Sequence, residues 1–183
     1  MDLIILECMR KCDNVREGEI LAEFLSLPDE DDDVTVKIKE FTDKSDFLRY
    51  IRRRSNLKEF DFVHLSGHGI VEDKETAFFE VPRGRVQPYE FPEGCFSDMA
   101  VALSACELGK VAFVDPFIEQ TCPSFVLAPQ RTVPFRDACL FWINFYSLAL
   151  HHDLSPKTAF NKTREFLNEK IVGAFQFWDT EES

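Results

Sequence analysis

Hydrophobic and polar positions along the chain alternate between two periodicities, one typical of strands and one typical of helices. Apolar runs, or runs in which apolar and polar residues alternate, have strand length at 2–8, 34–39, 60–66, 99–105 and 124–128. Apolar residues at helical spacing cover 17–27, 42–57, 110–120 and 134–151. Strands that alternate with helices favour an α/β fold, in which a mostly parallel sheet is covered on both faces.

The remaining segments complete this arrangement. The segment 72–94 has an apolar run followed by an Arg-Gly-Arg turn, which predicts a small hairpin. Ser155 and Pro156 are typical of a helix start, so we expect a helix to about Lys170, and 172–178 is a further strand candidate. The acidic run at 29–33 is expected to be a solvated loop.

Length and composition favour one domain over residues 1–183. The chain is 45% hydrophobic and 13% aromatic, which is enough for one packed core. The apolar opening at 3–6 is followed at once by Glu7, Arg10 and Lys11, so it is too short for a signal peptide or a membrane span. We therefore expect a protein that stays in the cytoplasm.

Charge and cysteine spacing exclude several classes of partner. With 21 Lys and Arg against 33 Asp and Glu, the net charge is −12, which argues against nucleic acid and anionic membranes as default partners. The six cysteines lie in apolar runs without CxxC pairs, a pattern typical of reduced thiols. Cys8 and Cys12 lack a second pair of ligands, so we expect no metal and no cofactor.

Two of the apolar runs end in reactive side chains. The run that begins at 60 ends in Ser-Gly-His-Gly at 66–69, and the run that begins at 99 leads to Cys106. Functional groups of an open parallel sheet collect at the carboxyl ends of its strands, so His68 and Cys106 should meet at one rim. A thiol beside an imidazole is a nucleophile with its base.

This pair predicts acyl-transfer chemistry. Cys106 attacks a carbonyl carbon and His68 handles the proton, while the backbone N–H groups of Gly69 and Cys106 supply an oxyanion hole. The sequence indicates no third residue that orients the imidazole. His64 lies inside the strand and is expected to be a core histidine.

Three function classes stay open at this point. A cysteine in an apolar run is ordinarily a small buried hydrophobe, and the His-Gly partner is what favours a nucleophile at Cys106. The leading hypothesis is an endopeptidase that cuts a protein. The alternatives are a catalytically silent binding module and another thiol-dependent hydrolase or acyl transferase.

The two motifs resemble the paired signature of the caspase-fold cysteine peptidases of clan CD. The Ser-Gly-His-Gly at 66–69 and the Leu-Ser-Ala-Cys-Glu-x-Gly at 103–109 are most similar to those of the CHAT branch. The strand at 125–129, the aromatic helix ending at Phe145 and Tyr146, and the segment 154–160 are also placed as in CHAT domains.

The resemblance implies a fold, an activity and partners. The fold would be a caspase-like three-layer sandwich with about six strands, and His68 and Cys106 would form the catalytic dyad. The substrate would be a specific protein, cut in a bacterial antiviral defence or cell-death pathway, with an activating or regulatory protein as a further partner.

The resemblance also implies a pocket for the side chain that precedes the scissile bond. It would be built from the loop after the first strand, the position two before the nucleophile and the segment after the fifth strand, which here supply Arg10, Ser104 and Arg131. Two arginines favour an acidic side chain, because a guanidinium grips a carboxylate with two hydrogen bonds. The alternative is that both arginines are ordinary surface charges.

Overall fold

The computed structural model describes residues 1–10, 12–27 and 34–180, so the acidic run at 29–33 lies outside the described residues. The strands are β1 Asp2–Glu7, β2 Thr35–Glu40, β3 Phe62–Ser66, β4 His68–Val71, β5 Ala77–Val81, β6 Gly84–Val86, β7 Ala100–Ser104, β8 Phe125–Pro129 and β9 Phe175–Asp179. The α-helices are α1 Glu17–Leu25, α2 Lys44–Arg52, α3 Val111–Thr121, α4 Phe135–Tyr146, α5 Pro156–Phe166 and α6 Glu169–Val172.

Six strands form the main sheet in the order β2-β1-β3-β7-β8-β9. The first five run parallel, and β9 pairs with β8 in the antiparallel direction. The mostly parallel sheet of about six strands flanked by helices is therefore confirmed. Register brings Glu7 opposite Ser66, and Ser66 opposite Ser104, so three polar residues form one row at the carboxyl ends of neighbouring strands.

Both faces of this sheet are covered, and each face has its own hydrophobic cluster. Ile4 and Leu6 of β1 face the cluster that includes α2, α3 and β5, while Leu3 and Ile5 face the cluster that includes α1, α4 and α5. A strand buried on both faces is apolar at most positions, which explains why β1 and β3 do not alternate between apolar and polar residues in the sequence.

The segment that begins at His68 departs from the sequence prediction. The sequence predicted a run that ends at 66–69 and a small hairpin over 72–94, but β4, β5 and β6 form a three-stranded antiparallel sheet of their own, and His68 opens it. The physical reason is visible in β5, where Ala77, Phe79 and Val81 are buried in the main core. Alternation of buried and half-buried positions makes this segment part of the folded body.

Helix ends also differ from the sequence prediction, and a side-chain cap accounts for one of the differences. Asp43 accepts a hydrogen bond from the Asp46 N–H at 2.9 Å and begins α2, which ends at Arg52 before a short 3₁₀ turn. The helix expected to reach Lys170 ends at Phe166, because Asn168 caps a separate helix, α6. After α4 the chain continues as a π-helical turn over Ser147–His151.

None of the helices within 1–10, 12–27 and 34–180 combines the length and the hydrophobicity that crossing a membrane requires.

Candidate active site

His68 and Cys106 lie at the carboxyl ends of two neighbouring strands. Ser66 of β3 pairs with Ser104 of β7, and each reactive residue follows its serine by two positions. Both residues line one small pocket of about 230 Å³. The structure therefore brings together the two residues that the sequence paired, although 38 positions separate them along the chain (106 − 68).

Gly69 fixes how closely the two segments approach. A Cβ atom built on Gly69 would lie 1.9 Å from the backbone oxygen of Cys106 and 2.8 Å from Cγ of Leu108. No side chain fits in that space, so only glycine allows β4 to start against the Cys106 turn. Glu107, directly after the nucleophile candidate, has a φ of 67° and turns the chain away.

Asp13 contacts the imidazole of His68. His68 Nε2–H donates a hydrogen bond to Asp13 Oδ2 at 2.8 Å, and the two side chains are 38% and 21% exposed. Burial alone would raise the pKa of Asp13, but the hydrogen bonds from His68 and from the Arg10 N–H outweigh it and hold that pKa below its usual value. With Nε2 donating to Asp13, Nδ1 is the ring nitrogen that can take up a proton.

The Cys106 thiol contacts the backbone of Val133, in the segment between β8 and α4. The Val133 N–H donates to Sγ at 3.5 Å, and Sγ donates to the Val133 oxygen at 3.7 Å. Among the described residues no hydrogen bond joins the thiol to His68, a separation that is common before substrate binds. The Cys106 N–H makes no hydrogen bond to any described residue and can serve an oxyanion.

The other thiols differ from Cys106 in burial. Burial raises the pKa of Cys8 far above its usual value and raises the pKa of Cys95 and of Cys139 to about 12. Cys12 and Cys122 are exposed, and Cys106 is half-buried. A thiol reagent at neutral pH can therefore compare Cys106 with two exposed thiols, while three buried thiols stay protonated.

A buried carboxylate, Glu17, forms part of the pocket lining. It is the first residue of α1 and is 2% exposed. Ser104 Oγ donates to Glu17 Oε1 at 2.8 Å, and Trp142 Nε1–H donates to Ser104 Oγ at 2.8 Å. These bonds satisfy the buried groups between β7, α1 and α4.

His64 completes this network behind Glu17. It is fully buried, as the sequence predicted for a core histidine, and lies 3.2 Å from Glu17 Oε2 and 2.9 Å from Tyr146 Oη. Burial, together with the nearby Glu17 charge, raises the pKa of Tyr146 well above its usual value. Tyr146 therefore keeps its proton and stays within hydrogen-bond distance of Nδ1, while Nε2–H donates to Glu17.

Glu7 lies next to Glu17 in the same buried region. Its Oε2 accepts the Gly18 N–H at 2.7 Å and its Oε1 accepts from the Ser66 hydroxyl at 3.3 Å. Burial and the Glu17 charge raise the pKa of Glu7 more than these hydrogen bonds and His64 lower it.

The residues expected to build an acid-selective pocket are separated. Ser104 lines the pocket of Cys106, but Arg10 and Arg131 do not. Arg10 pairs with Glu80 and lines a different pocket, and Arg131 donates to the Lys170 backbone oxygen at 2.8 Å on the surface. Arg10 lies away from the Cys106 pocket because Glu80 of β5 binds its guanidinium. This contact depends on the three-stranded sheet, which the sequence did not predict.

Sequence reasoning missed Asp13 and Glu17. Both follow β1, whose carboxyl end lies beside that of β3. This position after a neighbouring strand is the sequence signal that could have identified them. Asp13 was missed because it is one polar residue among several in a loop. Glu17 was missed because acidic residues are common in the first turn of a helix.

Other features of the described residues lie apart from this chemistry. A larger pocket of about 730 Å³ opens at the other end of the sheet, where β3, β7 and β8 begin. It contains neither Cys106 nor His68, so the smaller pocket is the candidate site. Within the described part of the chain, no group of three or more His, Cys, Asp or Glu side chains is arranged to hold a metal ion.

Comparison with known proteins supports the fold. No family model and no curated protein matches the sequence. Among solved structures, the separase of the Saccharomyces cerevisiae separase–securin complex is similar at a TM-score of 0.58 and 12% identity. The match covers 97% of this chain and 11% of that chain. Separase has a caspase-like protease fold, so this likeness agrees with the caspase-like α/β architecture expected from the sequence.

Proposed function

We propose that this chain is a cysteine endopeptidase in which Cys106 is the nucleophile and His68 is the base. The observation that supports this most is that the two side chains line one pocket at the carboxyl ends of β3 and β7. Asp13 supports the role of His68, because a carboxylate on one ring nitrogen orients the other.

The reaction follows from these groups. The thiol gives its proton to His68 and the sulfur attacks the peptide carbonyl carbon. The oxyanion that forms accepts hydrogen bonds from the backbone N–H groups of Cys106 and Gly69. His68 then returns the proton to the leaving amine, and water hydrolyses the thioester to release the second product and the free thiol.

We further propose that the partner is a protein, either as substrate or as regulator. The similar solved structure is of a separase bound to a protein, securin, which supports a protein partner for this fold. That this chain is a CHAT-type peptidase of a bacterial defence or cell-death pathway stays a prediction from the two motifs. Its location in the cytoplasm stays a prediction from the short apolar opening and the cysteine pattern.

Limited alkylation with iodoacetamide, read by mass spectrometry, tests the dyad. We expect Cys106 to be modified faster than the exposed thiol of Cys122, which serves as an internal reference, and we expect Cys8, Cys95 and Cys139 to stay unmodified. In His68→Ala the Cys106 rate should fall about tenfold or more while the Cys122 rate is unchanged, because the imidazole no longer promotes the thiolate.

A silent binding module is the second candidate, and the contacts of the thiol with the Val133 backbone favour it. If Cys106 reacts no faster than Cys122 and His68→Ala changes nothing, this candidate replaces the peptidase. A third class, another thiol-dependent hydrolase or acyl transferase, would show the same fast, His68-dependent alkylation of Cys106 as the peptidase. Cleavage of a co-purified protein into fragments of defined size, lost in Cys106→Ala, separates the peptidase from it.

A further inference from the structure

The floor of the Cys106 pocket holds a carboxyl group, that of Glu17, which is 2% exposed. We infer that Glu17 makes this pocket select a lysine or arginine side chain immediately before the scissile bond, an inference that rests on the proposed peptidase function. Glu17 lines the same pocket as Cys106 and His68, so a side chain that enters it belongs to the residue whose carbonyl the thiol attacks.

The polar groups at this floor are hydrogen-bond acceptors. The hydroxyl proton of Ser104 is used by Glu17, and the indole N–H of Trp142 is used by Ser104. The Nε2 proton of His64 is also used by Glu17. The hydrogen-bonding capacity that remains belongs to the carboxyl oxygens of Glu17 and the hydroxyl oxygen of Ser104, which accept hydrogen bonds. A cationic donor can bind these oxygens, and a carboxylate cannot.

Carboxyl groups outnumber basic groups in the buried network behind the pocket. Glu17 has a second carboxyl, Glu7, beside it, and the basic side chain that contacts Glu17 is His64, at 3.2 Å. Among the described residues that line the pocket there is no Lys or Arg. The two arginines expected to attract an acidic side chain contact Glu80 and Lys170 instead.

The walls fit the aliphatic part of a basic side chain. Five of the lining residues have large apolar side chains, namely Met9, Pro129, Val133, Phe135 and Phe175. The methylene groups of lysine and arginine pack on such surfaces while the charged end reaches a polar group. At about 230 Å³ the pocket is smaller than typical sites for whole small molecules, which suits one side chain.

Three peptidyl acyloxymethyl ketones that differ in one side chain test this inference. They carry arginine, its uncharged isostere citrulline, or aspartate next to the reactive ketone, and Cys106 modification is followed by mass spectrometry. In the wild-type protein we expect the arginine probe to react about 10- to 100-fold faster than the citrulline probe, since a charge-assisted hydrogen bond replaces a neutral one. The aspartate probe should be slowest.

Glu17→Gln keeps the shape of the side chain and removes its charge, so the ratio of arginine to citrulline rates should fall towards one. Arg131→Ala is the matched control and should leave the ratio unchanged. The wild-type ratio needs no variant, so it decides the question even if Glu17→Gln fails to fold.

The outcomes separate this inference from the proposed function. If Cys106 shows His68-dependent reactivity with iodoacetamide but the three probes react equally, the aspartate probe leads, or no probe reacts, the charge selection is wrong and the peptidase remains. If no probe reacts and the iodoacetamide rate does not depend on His68, the proposed function is wrong, and the inference falls with it.

Discussion

Asp13 shows how one loop residue can define the tautomer of a histidine, here His68. Its carboxylate holds the Nε2 proton of His68, and this contact fixes the ring tautomer that leaves Nδ1 available. The sequence places Asp13 55 positions before His68, so only the meeting of the β1 and β3 ends makes the pair.

Asp13→Asn should slow the alkylation of Cys106 about threefold to tenfold at pH 7, a modest effect because both partners are partly exposed to solvent. The pKa of Asp13 is lowered in the folded state, so the carboxylate stabilises the fold above its ordinary pKa of about 4 and loses this contribution as pH falls through the lowered value. The variant should therefore be less stable than the wild type at pH 7 and equally stable near pH 2.

The pH dependence of urea denaturation and the alkylation rate between pH 5 and 8 measure these two effects. Asp73 offers a control, because its pKa is also lowered but by backbone contacts with Glu75 and Thr76, away from His68. Asp73→Asn should leave the Cys106 rate unchanged. An Asp13→Asn rate equal to the wild type would show that the contact does not orient the base.

At the scale of elements, the site depends on where β4 begins. β3 ends at Ser66, and β4 begins at His68 in a different sheet, so the chain turns sharply over Gly67. Pairing with Glu80 of β5 therefore fixes the position of His68, which belongs to a strand and not to a free loop. A base held by a strand is better ordered than one on a flexible connection.

Gly69→Ala should displace β4 from the Cys106 turn, because its Cβ would lie 1.9 Å from a backbone oxygen that cannot move aside. We expect a loss of about 2 kcal/mol or more in the free energy of unfolding, and loss of the His68-dependent reactivity of Cys106. Chemical denaturation and iodoacetamide labelling measure the two effects.

Gly84→Ala is the matched control in the same small sheet. Its Cβ would lie 3.0 Å from Cβ of Lys44, a contact that a shift of a few tenths of an ångström relieves, so the cost should stay near about 1 kcal/mol, below that of Gly69→Ala. Equal effects of the two substitutions on the Cys106 rate would contradict the role assigned to Gly69.

For the whole molecule, the small sheet and the main sheet share one hydrophobic core. Phe79 and Val86 of the small sheet belong to the same cluster as Leu6 of β1 and Phe113 of α3. Phe91, just after β6 and a 3₁₀ turn, has its ring centroid within 6.3 Å of four other phenylalanines, namely Phe47, Phe96, Phe113 and Phe117. The segment after His68 is thus joined to the helices α2 and α3.

Phe91→Ala should lower the free energy of unfolding by about 3 to 5 kcal/mol, because it removes a buried ring from this shared core. Tyr89→Ala, two residues away and 66% exposed, should change it by no more than about 0.5 kcal/mol. Denaturant titration compares the two variants, and hydrogen exchange should show 77–91 as well protected as β3. Fast exchange there with a small Phe91→Ala effect would mean that the small sheet is independent of the core.

The sequence by itself determined the main sheet, most helix positions and the pairing of His68 with Cys106. These follow from local patterns: β1, β3, β7 and β8 are apolar runs, α4 has apolar residues at helical spacing, and a parallel sheet gathers its strand ends at one rim. Ser155 also predicted its helix start, since its side chain accepts the Thr158 N–H.

Tertiary structure decided the neighbours of His68 and the polar groups that line the pocket of Cys106. Asp13 meets His68, Glu17 meets Ser104, and Glu80 withdraws Arg10 from the site through contacts between segments far apart in the chain. The direction of a side chain and the partner it meets depend on how elements pack, which periodicity does not encode. The sequence therefore predicted that His68 and Cys106 meet at one rim, and the packing of α1 and of the small sheet decided what surrounds them.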